Sequence, residues 1–289
     1  MVTPPQLRRS APIRAASRSV RLWCAGATVL LAGCEWGGPT YFLAKYDREI
    51  KDSTQAIETA RNDAQRAQAH SARASAYSEK ARYSRASKLI SPEEYGRLFD
   101  LAVKDHDRAV ELAPGEPGVY LARGLTFYNR AAYDDHPDAI TAAAFDAARA
   151  DFTRTLERDR HNGQAYDMRG LVGIAIGDLD GAIADFTDLE RLDRRLGESR
   201  LADAHCRRGD SYVKAKSYER AIADYEKAIE LGAPSDGCDC QPDTPLAWTY
   251  CELRQYDKSW EVVHRAQRAH RWIMPELIER LKKASGRDR

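Results

Sequence analysis

Two clusters pair histidine with aspartate at spacings that could do chemistry. Asp105-His106-Asp107 and Asp134-Asp135-His136-Pro137-Asp138 bring together residue types that bind metals or shuttle protons. The second sits at a turn before an alanine-rich stretch, where aspartate is favoured on backbone grounds alone. Six cysteines form a third group: Cys24, Cys34, Cys206, Cys238, Cys240 and Cys251. Their spacing is not that of a zinc ribbon or finger, and a Cys238–Cys240 bridge would be strained. The chain contains no Gly-rich phosphate loop, no HExxH and no GxSxG. Its other carboxylates are scattered along segments of helical pattern, as on solvated faces. The sequence therefore predicts no catalytic residue, no metal and no cofactor. An enzyme or metal-binding protein using the insertion at 133–148 is kept as an alternative.

What would position these residues is a repeated phrase: Arg-Gly, a gap, then Ala-x-Ala-Asp-aromatic. It occurs as Arg123-Gly124 with Ala148 to Phe152, Arg169-Gly170 with Ala182 to Phe186, and Arg208-Gly209 with Ala221 to Tyr225. In the last two copies the glycine and the first alanine lie twelve residues apart. Such self-similarity predicts an array of small units, none able to bury its apolar face alone. Around Ala202–Pro234, Gly209 and Tyr212 share one helical face and Ala221, Tyr225 and Ala228 another. Ser217 reads as an N-cap, and Gly232 with Pro234 as a stop.

These residues resemble the tetratricopeptide repeat, a helix-turn-helix unit of 34 residues. Its pattern has small or aromatic residues at positions 8, 11, 20, 24 and 27, filled here by Gly209, Tyr212, Ala221, Tyr225 and Ala228. A second copy counts from Gly163 (Gly170, Ala182, Phe186). A third counts from Pro117 (Gly124, Phe127, then Ala148 and Phe152 after the insertion). Weaker copies flank them, with Ala74, Tyr77, Ala102, His106 and Ala109 before and Ala247, Tyr250, Ser259, Val263 and Ala266 after. The resemblance covers roughly 67–267. It implies an all-α, right-handed superhelical solenoid of about five repeats with terminal capping helices. The repeats fall at about 67–116, 117–162, 163–201, 202–235 and 240–273, in a solenoid of 51–285 with a cap at 275–285 and a tail at 286–289.

In that frame His106 occupies the slot given elsewhere to Phe152, Phe186 and Tyr225, which marks it as a packing residue. First-helix positions of the family line a concave face. Carried over, they give Leu121, Leu125, Tyr128 and Asn129, then Asp167 and Leu171. Asp203, Cys206, Asp210 and Lys214 follow, and then Trp248, Cys251 and Glu252. The mixture of aromatic and acidic groups suits an extended peptide with some basic residues.

At the start, five arginines and no acid precede an apolar run from Leu22 to Cys34. The run is too short to span a bilayer comfortably but suits a signal-peptide core. Leu31-Ala32-Gly33-Cys34 resembles the lipobox of bacterial lipoproteins, which implies cleavage after 1–33, acylation of Cys34 and a tether over 34–50. It places the protein in the bacterial envelope, lipid-anchored and facing the periplasm. Glu35, where an aspartate would retain the chain at the inner membrane, favours the outer one. In that oxidising compartment Cys206, Cys238, Cys240 and Cys251 are disulfide candidates with three pairings open.

The interior of the chain carries clear boundary signals. From Asp52 to Leu89 there is no Gly or Pro and alanine is dense, predicting a long helix with a break near Asn62-Asp63. Ser91-Pro92-Glu93-Glu94 reads as a capping box. The alanines after Pro137 extend the next helix by about two turns at its N-terminal end. Charge is balanced, 45 Lys+Arg against 44 Asp+Glu, so no basic field points to nucleic acid. The expectation is a membrane-tethered scaffold that binds an envelope protein or peptide in its groove, without catalysis. A self-associating structural lipoprotein, a homo-oligomer joined through its alanine-rich N-terminal helix, is the alternative.

Overall fold

The computed structural model describes residues 39–132, 139–232 and 241–286. Twelve helices and no strand lie within them. They divide into two compact units, one ending at Ile176 and one beginning at Gly177. The lipobox with Cys34, the acidic cluster at 134–138, and Cys238 and Cys240 lie outside the described residues.

The first unit holds α1 (Pro39–Thr59), α2 (Asp63–Ala86), α3 (Pro92–Leu112), α4 (Pro117–Ala132), α5 (Ala139–Arg158) and α6 (Gly163–Ile176). The alanine-rich stretch breaks at Asn62, whose Oδ1 accepts the Gln65 N–H at 2.8 Å and so caps α2. Dense alanine serves packing as well as propensity: Ala67, Ala74, Ala76 and Ala81 are buried where α2 meets its neighbours. Ser91 caps α3 by accepting the Glu94 N–H, and Pro92 takes the first helical position. α5 starts at Ala139, nine positions ahead of Ala148, whereas α9 of the second unit starts at Tyr218, three ahead of Ala221. The insertion therefore lengthens the second helix of its hairpin at the N-terminal end.

The second unit holds α7 (Leu179–Leu192), α8 (Arg194–Lys214), α9 (Tyr218–Glu230), α10 (Asp243–Glu252), α11 (Tyr256–Arg268) and α12 (Pro275–Ser285). One core joins α8 to α12, with Tyr225, Leu246, Val263, Leu277 and Leu281 essentially sealed from solvent. Each such side chain contributes about 1.5–3 kcal/mol when fully buried. The terminal helix turns Leu277 and Leu281 inward, keeps Ile278 half-buried and leaves its other face charged. Ser217 precedes α9, but its side chain makes no capping hydrogen bond. Position fifteen of the repeat frame takes a left-handed backbone in three copies: Gly177 (φ 85), Lys216 (φ 57) and Arg254 (φ 58). Only the first is the residue that this conformation favours.

Candidate interaction surface

The repeated phrase is a clamp. In the α4–α5 hairpin, Arg123 Nε donates to Asp151 Oδ2 at 2.7 Å and Nη2 to Oδ1 at 2.8 Å. The α8–α9 hairpin repeats this with Arg208 and Asp224, both bonds at 2.8 Å. The α2–α3 hairpin does so with Arg73 and Asp105, both at 2.7 Å. These are forked, charge-assisted bonds with almost fully buried carboxylates. Burial pushes the Asp105 and Asp224 carboxyls up, but their hydrogen bonds to arginine and to His70 or His205 hold both below the usual carboxylate range.

Next to Arg123 and Arg208 stands a glycine, and its role is clearance. A Cβ on Gly124 would lie 2.8 Å from the Phe152 ring, and one on Gly209 would lie 2.7 Å from the Tyr225 ring. The first copy carries Ala74 in this slot and His106 in the aromatic one, a larger residue matched by a smaller ring. The last copy replaces the ion pair itself. Leu246 and Val262 occupy the slots of Arg208 and Asp224 and are both buried in the core.

The Asp105-His106-Asp107 cluster is divided among three tasks. Asp105 accepts from Arg73 and contacts His70 Nδ1 at 2.9 Å. His106 is fully buried, its Nε2 lying 3.0 Å from Thr126 Oγ1, and burial pushes its pKa down to about 4. Asp107 accepts from Arg123 Nη1 at 2.7 Å. No substrate or metal can meet the three together. Among the described residues no group of three His, Cys, Asp or Glu side chains could hold a metal ion.

The residues carried over as groove-lining fare differently. In the first unit Leu121, Leu125 and Leu171 are half-buried against an apolar cluster, and Asn129 is partly exposed. Tyr128 is core rather than surface: it is 5% exposed, and the Phe145 ring of the lengthened α5 packs 6.0 Å from it. Asp167 is buried too. In the second unit Asp203 accepts from Arg207 at 2.9 Å, and Asp210 accepts from the Tyr225 hydroxyl at 2.7 Å. Burial and the Asp210 charge push that hydroxyl far up. Lys214 is exposed. Trp248 is half-buried, with the Arg280 guanidinium of α12 4.9 Å from its ring centre, and Arg280 also pairs with Glu252 at 2.7 Å. A cap from 32 residues downstream was not legible in the spacing of α10.

Of the four staple cysteines, Cys206 is disulfide-bonded. Cys251 is a free thiol, buried in the core, and burial pushes its pKa up. Being free, it takes no part in a disulfide. Cys206 itself is 4% exposed, which removes it from the surface.

Residues 202–231 match the family model of the tetratricopeptide repeat. The chain is 26% identical over 125 residues to mouse (Mus musculus) serine/threonine-protein phosphatase 5, covering 43% of this chain and 22% of that protein. It is 27% identical over 140 residues to human (Homo sapiens) DnaJ homolog subfamily C member 7, covering 47% of this chain and 27% of that one. It thus spans about a quarter of the length of these relatives. Among solved structures, YrrB, a TPR protein with an unusual peptide-binding site, aligns at 13% identity over 82% of this chain and 94% of its own, with a TM-score of 0.44. MamA aligns at 16% identity over 75% and 96%, with a TM-score of 0.42.

Proposed function

We propose that this chain, whose 202–231 hairpin is a tetratricopeptide repeat, is a scaffold held at a bacterial envelope membrane through acylated Cys34, without catalytic turnover. It binds a protein or an extended peptide with basic residues on the face carried by its first helices. The observation behind this reading is the division of labour on α8. His205, Arg208 and Gly209 serve the clamp and the ring contact, while Asp210 and Lys214 are exposed and Asp203 is partly so. Asp105, His106 Nε2 and Asp107 of the first cluster are likewise engaged by other residues of the fold. The disulfide at Cys206 suits an oxidising compartment.

Crosslinking in native cells, followed by capture through this chain, tests the binding reading. Recovery of one envelope protein by wild type, lost in Asp203→Lys with Lys214→Glu, supports it. Equal recovery by wild type and variant refutes it. Mass spectrometry of the native N-terminus tests the anchor separately: an intact Met1 or an unmodified Cys34 refutes that part alone.

A further inference from the structure

Seven large apolar side chains are exposed among the described residues, and three of them belong to one end of the α1–α2 hairpin. Tyr41 and Phe42 open α1 at 58% and 40% exposure, and Leu89, just past the end of α2, is 48% exposed. The two aromatics are joined by ring contacts, and Leu89 follows the same end of α2, its N–H donating to the Ser84 carbonyl at 2.8 Å. The Phe42 ring lies 5.1 Å from the tilted Tyr83 ring of α2, Tyr41 lies edge-on 5.7 Å from Phe42, and Tyr46 is 6.3 Å from Tyr83. An aromatic cluster of this kind usually closes a core. Here its outer two members are exposed, with the exposed cation Lys45 a turn further along α1 and the exposed Lys88 next to Leu89.

The sequence supplies what covers it. Four residues separate Cys34 from Pro39, the first residue of α1, and the five residue steps, fully extended, reach about 17 Å. If Cys34 carries acyl chains, Tyr41 and Phe42 cannot leave the neighbourhood of the lipid headgroups. Tyrosine, phenylalanine, leucine and lysine are also the residues that settle at a membrane interface, rings and aliphatic groups inward and cations among the anionic headgroups.

We propose that the tip of the α1–α2 hairpin rests on the bilayer surface, with Tyr41, Phe42 and Leu89 in the headgroup zone. The lipid anchor then holds the chain while the tip fixes how its first hairpin stands on the membrane. The proposal rests on the anchor reading at Cys34, but it predicts a separate contact.

The test uses the chain purified from its native membrane and reconstituted into vesicles of phosphatidylethanolamine and phosphatidylglycerol. Hydroxyl-radical footprinting compares Tyr41 with Trp272, which is 57% exposed and lies in the other unit. Each rate is normalised to that of the same residue in the urea-unfolded chain. The expected result is Tyr41 oxidation slower than Trp272 by about fivefold or more, as for a ring at the headgroup level. In Phe42→Ser with Leu89→Ser the two rates should converge. Equal rates in wild type overturn the docking, as does protection that survives the double variant. Mass spectrometry of the same sample reads the acyl group on Cys34, so loss of the anchor and loss of the docking are distinguished.

Discussion

Arg123 holds Asp151 through two parallel bonds of 2.7 and 2.8 Å, although 28 residues separate them in the chain. With Asp151 nearly sealed from solvent, removing Arg123 takes away its forked partner, and removing Asp151 leaves Arg123 with Asp107 alone. Asp151→Ala should cost about 3–5 kcal/mol. Arg123→Leu combined with Asp151→Val, which reproduces the natural Leu246 and Val262 of the last hairpin, should be neutral or stabilising by up to about 4 kcal/mol. Urea unfolding of the three proteins decides it. A double variant as unstable as the single would show that the apolar pair cannot substitute here.

The contact of Gly209 with Tyr225 predicts a steric penalty. Gly209→Ala should destabilise the chain by about 1–3 kcal/mol, because the new methyl meets ring carbons that cannot retreat within a packed core. Adding Tyr225→His copies the Ala74 and His106 combination and should recover part of the loss. A coupling energy of zero in the double-mutant cycle would mean that the two slots do not interact as the geometry requires.

His106 predicts a pH dependence. Its folded-state pKa is pushed from 6.5 to about 4, so the folded chain binds fewer protons there than the unfolded chain does. The associated stability is complete above the unfolded value and is lost as pH falls from 6.5 toward 4, amounting to about 3 kcal/mol at most. His106→Leu should flatten the fall in urea midpoint between pH 7.5 and pH 4.5. The lowered carboxyls of Asp105 and Asp224 act in the same direction at still lower pH, since their contribution disappears as they protonate. An identical fall in wild type and variant would dissociate the acid sensitivity from His106.

Two left-handed residues can be relieved. Lys216→Gly and Arg254→Gly remove a Cβ from a backbone conformation that Gly177 adopts at the same repeat position. Each should raise stability by about 0.5–1 kcal/mol, read as a higher thermal midpoint. The converse change, Gly177→Lys, should lower it by a similar amount.

The cysteines separate by redox state. Cys251→Ser should leave the non-reducing mobility and the reductant sensitivity of the chain unchanged. Cys206→Ser should abolish the sensitivity, and removal of a native disulfide of this kind typically costs about 2–5 kcal/mol. Alkylation of the native chain followed by peptide mapping checks both assignments. Quantitative labelling of Cys206 without reduction would contradict the bond.

Local signals in the sequence carried the element boundaries well. The side chains of Asn62 and Ser91 accept backbone N–H groups three residues on, Pro92 fixes the first helical φ and Gly232 supplies a positive one, so the ends of α2, α3 and α9 follow from neighbours alone. The packing role of His106 was legible because a repeat supplies its own comparison. The clamp was visible as a refrain but not as a bond, since its partners lie 32, 28 and 16 residues apart in the three hairpins. Tyr128 and Trp248 show where the family frame stops helping. Phe145 from a lengthened helix covers the first, and Arg280 from the terminal helix covers the second. Both covers come from departures from the repeat, which no repeat can foretell.

The forked pairs also bear on sliding. Two helices lined with alanine present nearly the same surface after a shift of one turn, about 5.4 Å, so small-residue packing alone selects register weakly. Arg73 with Asp105, Arg123 with Asp151 and Arg208 with Asp224 each allow a single alignment. A shifted hairpin would break two short bonds and strand a carboxylate in apolar surroundings. Each pair thus acts as a pin that lets these helices be rich in alanine without becoming free to creep along one another.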